Sequence, residues 1–272
     1  MLVHRSGPAR GRRFALTGIL LAALSLASAL PARAADTPPR GSAHMGMGVV
    51  EHDGSHGTPV PGGATQTEGV DVSSHQGNVA WSTLWSSGVK WAYAKATEGT
   101  YYTNPYFAQQ YNGSYNVGMI RGAYHFATPD STSGAAQANY FVDHGGGWSR
   151  DGRTLPGALD IEWNPYGAAC YGKTQSQMVS WIRDFLTTYK ARTGRDAVIY
   201  TATSWWTQCT GDYSGFAANN PLWIARYAAS VGTLPAGWGV YTMWQYTSSG
   251  PTVGDHNRFN GALDRVQALA NG

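Results

Sequence analysis

Between residues 68 and 272 short apolar runs alternate with longer amphipathic ones, with no second linker and no internal repeat. The runs at 69–72, 91–96, 120–126, 157–161, 197–200, 222–225 and 241–244 have the length and residue content of buried strands. Between them, 104–115, 133–142 and 174–192 repeat apolar residues at helical spacing. In the last of these, Met178, Trp181, Ile182, Phe185, Leu186 and Tyr189 recur at steps of three and four, and Gly194 supplies a stop. Strand and helix in repeated alternation predict parallel strands wrapped by helices. Past Trp223 the strand signals continue without long helices. The expected fold is α/β, an irregular, TIM-like β/α barrel that is helix-poor in its last third. Residues 68–272 are enough for one sizeable core.

The first 67 residues read differently. Arg5, Arg10, Arg12 and Arg13 precede an apolar run at 14–30, and Ala32-Arg33-Ala34 follows as a small-x-small cleavage signal. That order of parts predicts a signal peptide at 1–34 and a secreted, extracellular product with no membrane contact after cleavage. Five of the 19 basic residues and none of the 16 acidic ones leave with it, so the balance turns from +3 to −2. The net-charge argument for nucleic-acid binding disappears with the signal. Residues 35–67 are rich in Gly, Pro, His and Ser and poor in bulky apolar side chains, which predicts a disordered leader or propeptide. His44, His52 and His56 lie there at irregular spacing, read as solvated histidines and not as a metal site. In an exported protein the even pair Cys170 and Cys209 suggests one disulfide, worth roughly 3–4 kcal/mol by loop entropy. Two free buried thiols are the alternative.

In a parallel barrel the chemistry gathers at the carboxyl ends of the strands. Those ends carry Asp71, then Lys95 and Glu98, Tyr124 and His125, Asp160 and Glu162, Tyr200, Arg226 and Tyr227, and Gln245 and Tyr246. Four acids gather there although the chain is only 13% charged. Crowded carboxylates raise one another's pKa values, which keeps a proton donor ready near neutral pH. Asp160 and Glu162, two apart on a strand, point into one space. One can protonate a glycosidic oxygen while the other stays ionised, the division of labour that glycoside hydrolysis needs. A chance D-x-E pair on a solvated surface is the bland reading, and the apolar run before it and the aromatics beside it argue against that. The 11 Trp and 16 Tyr, among them Trp163, Trp205, Trp206, Tyr227, Trp244 and Tyr246, suit the apolar C–H faces of sugar rings. From this set Lys95, Glu98, Tyr124, Trp163, Tyr200, Tyr227 and Gln245 are the candidate substrate-binding residues. His75 and His125 could act as bases, but no nucleophile elbow, metal-ligand run or phosphate loop accompanies them.

Five blocks then follow in order: Gly69-Val70-Asp71-Val72-Ser73-Ser74-His75-Gln76-Gly77, Lys95-Ala96-Thr97-Glu98-Gly99, Gly122-Ala123-Tyr124-His125-Phe126, Leu159-Asp160-Ile161-Glu162 and Trp244-Gln245-Tyr246. Together they resemble the glycoside hydrolase family 25 lysozymes, the Chalaropsis-type muramidases, especially those secreted by actinomycetes. The likeness covers 68–272 and none of the leader. It implies hydrolysis of the β-1,4 bond between N-acetylmuramic acid and N-acetylglucosamine in peptidoglycan. It further implies Glu162 as general acid/base, Asp160 as the carboxylate that orients the 2-acetamido group, and Asp71 as another active-site acid. Asp255, in Gly254-Asp255-His256-Asn257-Arg258-Phe259, is the candidate for a late acid, although His256 replaces the usual apolar residue and the connection from Tyr246 looks short. Cys170 and Cys209 look like the single disulfide of the actinomycete enzymes. Retention through the substrate's acetamido oxygen is the expected course, with direct attack by Asp71 as the rival. Peptidoglycan glycan strands are the expected partner of a monomer without cofactor or metal. A chitinase or endo-N-acetylglucosaminidase is the competing enzyme reading, but its further aspartates are missing from Pro156-Gly157-Ala158-Leu159. A dead glycan-binding module would require loss of acids that are present.

Overall fold

The computed structural model describes residues 1–4, 7, 37–57 and 65–272. Apart from 1–4 and 7, the expected signal peptide lies outside the described residues. Everything below concerns the compact unit Thr37–Gly272.

Eight strands close into a barrel. In chain order they are β1 (Thr67–Val72), β2 (Trp91–Glu98), β4 (Ile120–Phe126), β5 (Ala158–Asp160), β6 (Val198–Thr201), β7 (Leu222–Ala225), β8 (Met243–Thr247) and β9 (Asp255–Phe259), with a short β3 (Tyr102–Thr103) folded back on β2. Neighbours from β1 through β8 pair in parallel, and β9 closes the ring antiparallel to both β8 and β1. The helices α2 (Trp81–Ser86), α3 (Phe107–Asn116), α4 (Gly134–Phe141), α5 (Gln175–Thr193) and α6 (Thr203–Thr210) fill the earlier crossovers, while α7 (Leu263–Asn271) ends the chain. No described helix joins β7 to β8 or β8 to β9, so the irregular barrel with a helix-poor last third is what forms.

Local chemistry explains the best-defined pieces. Helix α5 starts on a capping box, Thr174 with Gln177, and stops at Gly194, whose φ of 74° only glycine adopts freely. Its apolar face buries Met178, Ile182, Phe185 and Tyr189. Inside the barrel, Trp91, Tyr93, Tyr200, Trp223 and Phe259 meet at edge-on or tilted angles and fill the lumen. Gly69 on β1 makes this possible, since a Cβ there would overlap the Trp91 indole. The Trp91 Nε1–H donates to Thr67 O at 2.9 Å, and the Trp223 Nε1–H donates to Asn257 Oδ1 at 2.8 Å, so the buried indoles are satisfied. Cys170 and Cys209 form a disulfide that ties the loop after β5 to α6.

Strand β9 has no counterpart among the predicted runs. Its five residues, Asp-His-Asn-Arg-Phe, are all buried but mostly polar, so no hydrophobic period marks them. The short connection from β8 follows from its direction, because an antiparallel return needs no crossover helix.

The stretch 37–57, read from composition as part of a disordered leader, has defined structure. It carries one short helix, α1 (Val49–Asp53), and buries Ala43, Met45 and Val49. The compositional argument concerned a core of its own, which this segment lacks. It borrows apolar surface from the barrel mouth.

Candidate active site

Every predicted acid reaches one mouth. Asp71 is the next-to-last residue of β1, and its partner across the antiparallel β1–β9 pair is Asp255, the first residue of β9. Asp160 ends β5, and the strand's hydrogen bonding continues as Ile161 N donates to Tyr200 O at 3.0 Å. Strand alternation therefore carries through to Glu162 and aims both carboxyls the same way.

Two kinds of acid environment result. Asp71 Oδ2 accepts from Gln245 Nε2 at 2.9 Å and from Asn257 Nδ2 at 2.7 Å. The same Gln245 nitrogen reaches Asp255 Oδ2 at 3.4 Å, while its Oε1 accepts from Tyr200 Oη at 2.6 Å and Tyr227 Oη at 2.9 Å. The two tyrosine hydroxyls fix which way the amide faces, and the amide in turn holds the acids. Asp160 and Glu162 have far less support. Neither Asp160 oxygen, nor Oε2 of Glu162, receives an N–H or O–H from a neighbouring amide, hydroxyl or cation.

The electrostatics follow from burial. Withdrawal from water pushes Glu162 up to about 8, against the pull of backbone amides, chiefly Gly46. Burial likewise lifts Asp71 to about 7, opposed by Gln245 and Asn257. Asp160 is raised well above the carboxylate range by burial and then by the Glu162 charge, and Asp255 by burial and then by Asp71. The Asp160–Glu162 pair thus retains a proton at neutral pH, as a general acid requires.

The predicted binding residues sort themselves. Lys95 and Glu98 form a fully buried ion pair, Nζ to Oε2 at 2.6 Å. Glu98 Oε1 also accepts from Tyr101 Oη at 2.8 Å and Tyr166 Oη at 2.6 Å, two partners that the sequence reading did not single out. Tyr124, Tyr200, Tyr227 and Gln245 are buried at the mouth, and Trp163 stacks on His52 with ring centroids 3.9 Å apart. Asn257 was also missed. It lies two residues from Asp255 on the same strand face, and that spacing was the available signal.

Other candidates are placed elsewhere. His125 sits behind the mouth, between Thr97 Oγ1 at 2.7 Å and Gln137 Oε1 at 2.9 Å, and burial lowers it to about 4. It orders the core and offers no base to the cleft. Trp205 and Trp206 belong to α6, with their N–H groups spent on Ala169 O and Tyr213 O. Trp244 packs between Tyr241 and Tyr246, and its N–H donates to Arg226 O. Among the described residues no group of three or more His, Cys, Asp or Glu is placed to hold a metal ion.

A β/α barrel whose mouth holds a buried Asp-x-Glu pair beside a second, amide-clamped acid defines the class, a glycoside hydrolase. The comparisons agree. The model of glycosyl hydrolases family 25 matches residues 70–255, and the chain belongs to that family. Lysozyme M1 of Streptomyces globisporus is 47% identical over 100% of this chain and 99% of its own. The N,O-diacetylmuramidase of Chalaropsis sp is also 47% identical, over 75% of this chain and 99% of its own. Among solved structures, the bacterial lysozyme from Streptomyces coelicolor is 52% identical, with a TM-score of 0.74 over 77% of this chain and 99% of that one.

Proposed function

We propose that the chain is a secreted lysozyme, a 1,4-β-N-acetylmuramidase that hydrolyses the bond between N-acetylmuramic acid and N-acetylglucosamine in peptidoglycan. The observation that carries this is the Asp160–Glu162 pair, buried at a barrel mouth, with neither Asp160 oxygen and only one Glu162 oxygen hydrogen-bonded to the fold. The names of the relatives, a lysozyme and an N,O-diacetylmuramidase at 47% identity, support the same bond. Residues 1–34 act as the export signal, 35–67 as a leader, and 68–272 as the catalytic barrel, working as a monomer without a cofactor.

Glu162 donates its proton to the glycosidic oxygen as the bond to the anomeric carbon breaks. The substrate's 2-acetamido oxygen attacks that carbon from the opposite face, and Asp160 orients the acetamido group and takes up charge from its N–H. Water, deprotonated by Glu162, then opens the resulting ring and leaves the anomeric configuration retained. Asp71, held by Gln245 and Asn257, and Asp255, reached by Gln245, line the mouth beside the reacting pair. Lys95, Glu98, Tyr124, Trp163, Tyr200, Tyr227 and Gln245 bind the flanking sugars.

The test uses residues 65–272, the described barrel from the residues before β1 to the end of α7. Digested walls are reduced with borohydride and their new ends hydrolysed. Muramitol is expected. Glucosaminitol in its place would mean that the other glycosidic bond is cut, and no new ends would sink the assignment.

A further inference from the structure

The cleft just described is occupied by the chain's own residues 40–56. Gly41 N donates to Glu98 Oε1 at 2.8 Å, and Lys95 Nζ donates to the carbonyls of Gly41 and Ala43. His75 Nε2 lies 2.7 Å from Ser42 O, and Tyr166 Oη accepts from Ala43 N at 3.2 Å. Gly46 N donates to Glu162 Oε1 at 2.6 Å. Further along, Gly48 abuts Trp163, His52 stacks on the same indole at an interplanar angle of 15°, and His56 N donates to Tyr227 O at 2.7 Å. The segment crosses from the β2 side of the mouth, over Glu162, to the end of β7.

We propose that residues 40–56 are a substrate-competitive pro-segment, which keeps the exported chain latent until peptide-bond hydrolysis removes it. The inference rests on the wall-glycan reading of this cleft. Lys95, Glu98, Glu162, Trp163 and Tyr227, all assigned above to substrate, each have a partner in the segment, so glycan and segment cannot occupy the mouth together. The chemistry of the mimicry is direct. A peptide group and an N-acetyl group are the same amide, with one N–H donor and one C=O acceptor. The run Gly41-Ser42-Ala43-His44-Met45-Gly46-Met47-Gly48 is small enough at three positions to lie close against the mouth. At Gly46, with φ of 77°, a Cβ would overlap Tyr227 Oη and lie 2.5 Å from Gln245 Oε1. At Gly48 a Cβ would come within 2.9 Å of the Trp163 Cγ. These glycines let the backbone sit where only a sugar or a bare peptide fits. Covalent attachment supplies the segment at a local concentration that free substrate must overcome.

The experiment compares residues 37–272, the same chain carrying Gly46→Ala, and residues 65–272 on purified walls. The parent chain should clear at least ~10-fold more slowly than residues 65–272, in keeping with a millimolar tethered competitor, and Gly46→Ala should recover most of that difference. A peptide of residues 37–57, added to residues 65–272 with a soluble wall tetrasaccharide, should raise KM and leave kcat unchanged. Equal clearing by parent and barrel overturns the proposal while leaving the function intact. A Gly46→Ala chain as slow as its parent, or a peptide without effect at millimolar concentration, overturns it too. An inactive 65–272 fails the functional reading and not the seating of the segment, which hydrogen exchange of Met45–Gly48 in the parent and Gly46→Ala chains reads independently.

Discussion

The two acid clusters of the mouth are built from the same residue types and held in opposite ways. Asp71 is clamped by two side-chain amides, and the amide of Gln245 is itself locked by two tyrosine hydroxyls. Glu162 has one backbone N–H, from Gly46, and the Asp160 carboxyl has none. A buried acid with its hydrogen bonds supplied by the fold is a fixed part of the site. One without them is held back for something that arrives, because an unmet buried polar group is costly unless a ligand meets it. The contrast separates the residues that shape the site from those that react in it.

Three substitutions or conditions probe this contrast, from the largest effect downward. In residues 65–272, Glu162→Gln keeps the shape and removes the proton donor. Wall clearing should fall at least ~100-fold with an unchanged circular dichroism spectrum, the low end of general acid/base contributions. A loss under tenfold would move the acid elsewhere. Asn257→Ala attacks the clamped side. It takes a donor from Asp71 and the acceptor from the Trp223 indole, so urea unfolding should show a loss of about 1–3 kcal/mol. If stability is unchanged while the rate collapses, Asn257 belongs with the reacting groups and the contrast is drawn in the wrong place.

The smallest effect is on pH dependence in the chain with its segment seated. Asp71 and Glu162 are raised to about 7 and about 8 from ordinary values of 3.8 and 4.5. The folded chain therefore keeps protons that the unfolded chain has released, and stability falls as pH rises toward those values. His44 and His125, held down at about 4 by burial, act in the opposite sense only up to their ordinary 6.5. The window from pH 6.5 to 8 is therefore governed by the acids, and the urea midpoint of residues 37–272 should drop across it. Glu162→Gln should flatten the drop. A midpoint that stays level would mean the acids are already ionised in the folded state.

How much of this was legible in the sequence depends on the range of the interaction concerned. The strands from β1 to β8, apart from the short β3, and helix α5 follow from local periodicity and capping, and the runs at 120–126 and 222–225 match β4 and β7 residue for residue. The Asp-x-Glu pair was visible because strand alternation alone aims residues two apart at one space. Strand β9 was not visible, since its buried side chains answer to Asp71, Trp223 and Glu68 on other strands and not to an apolar period. Nor could spacing separate Trp163, at the mouth, from Trp205 and Trp206 in the helix layer.

By itself, then, the order of residues determined an α/β barrel with acids and aromatics at the strand ends and a family of reactions to match, because those features are written in neighbours a few positions apart. Only the tertiary structure decided which acids are clamped and which are free to react, that β9 returns antiparallel to bring Asp255 and Asn257 to Asp71, and that residues 40–56 lie across Glu162. Each of these depends on partners roughly 100 or more residues away in the chain, where no local pattern can record them, and on burial, which exists only once the barrel has closed.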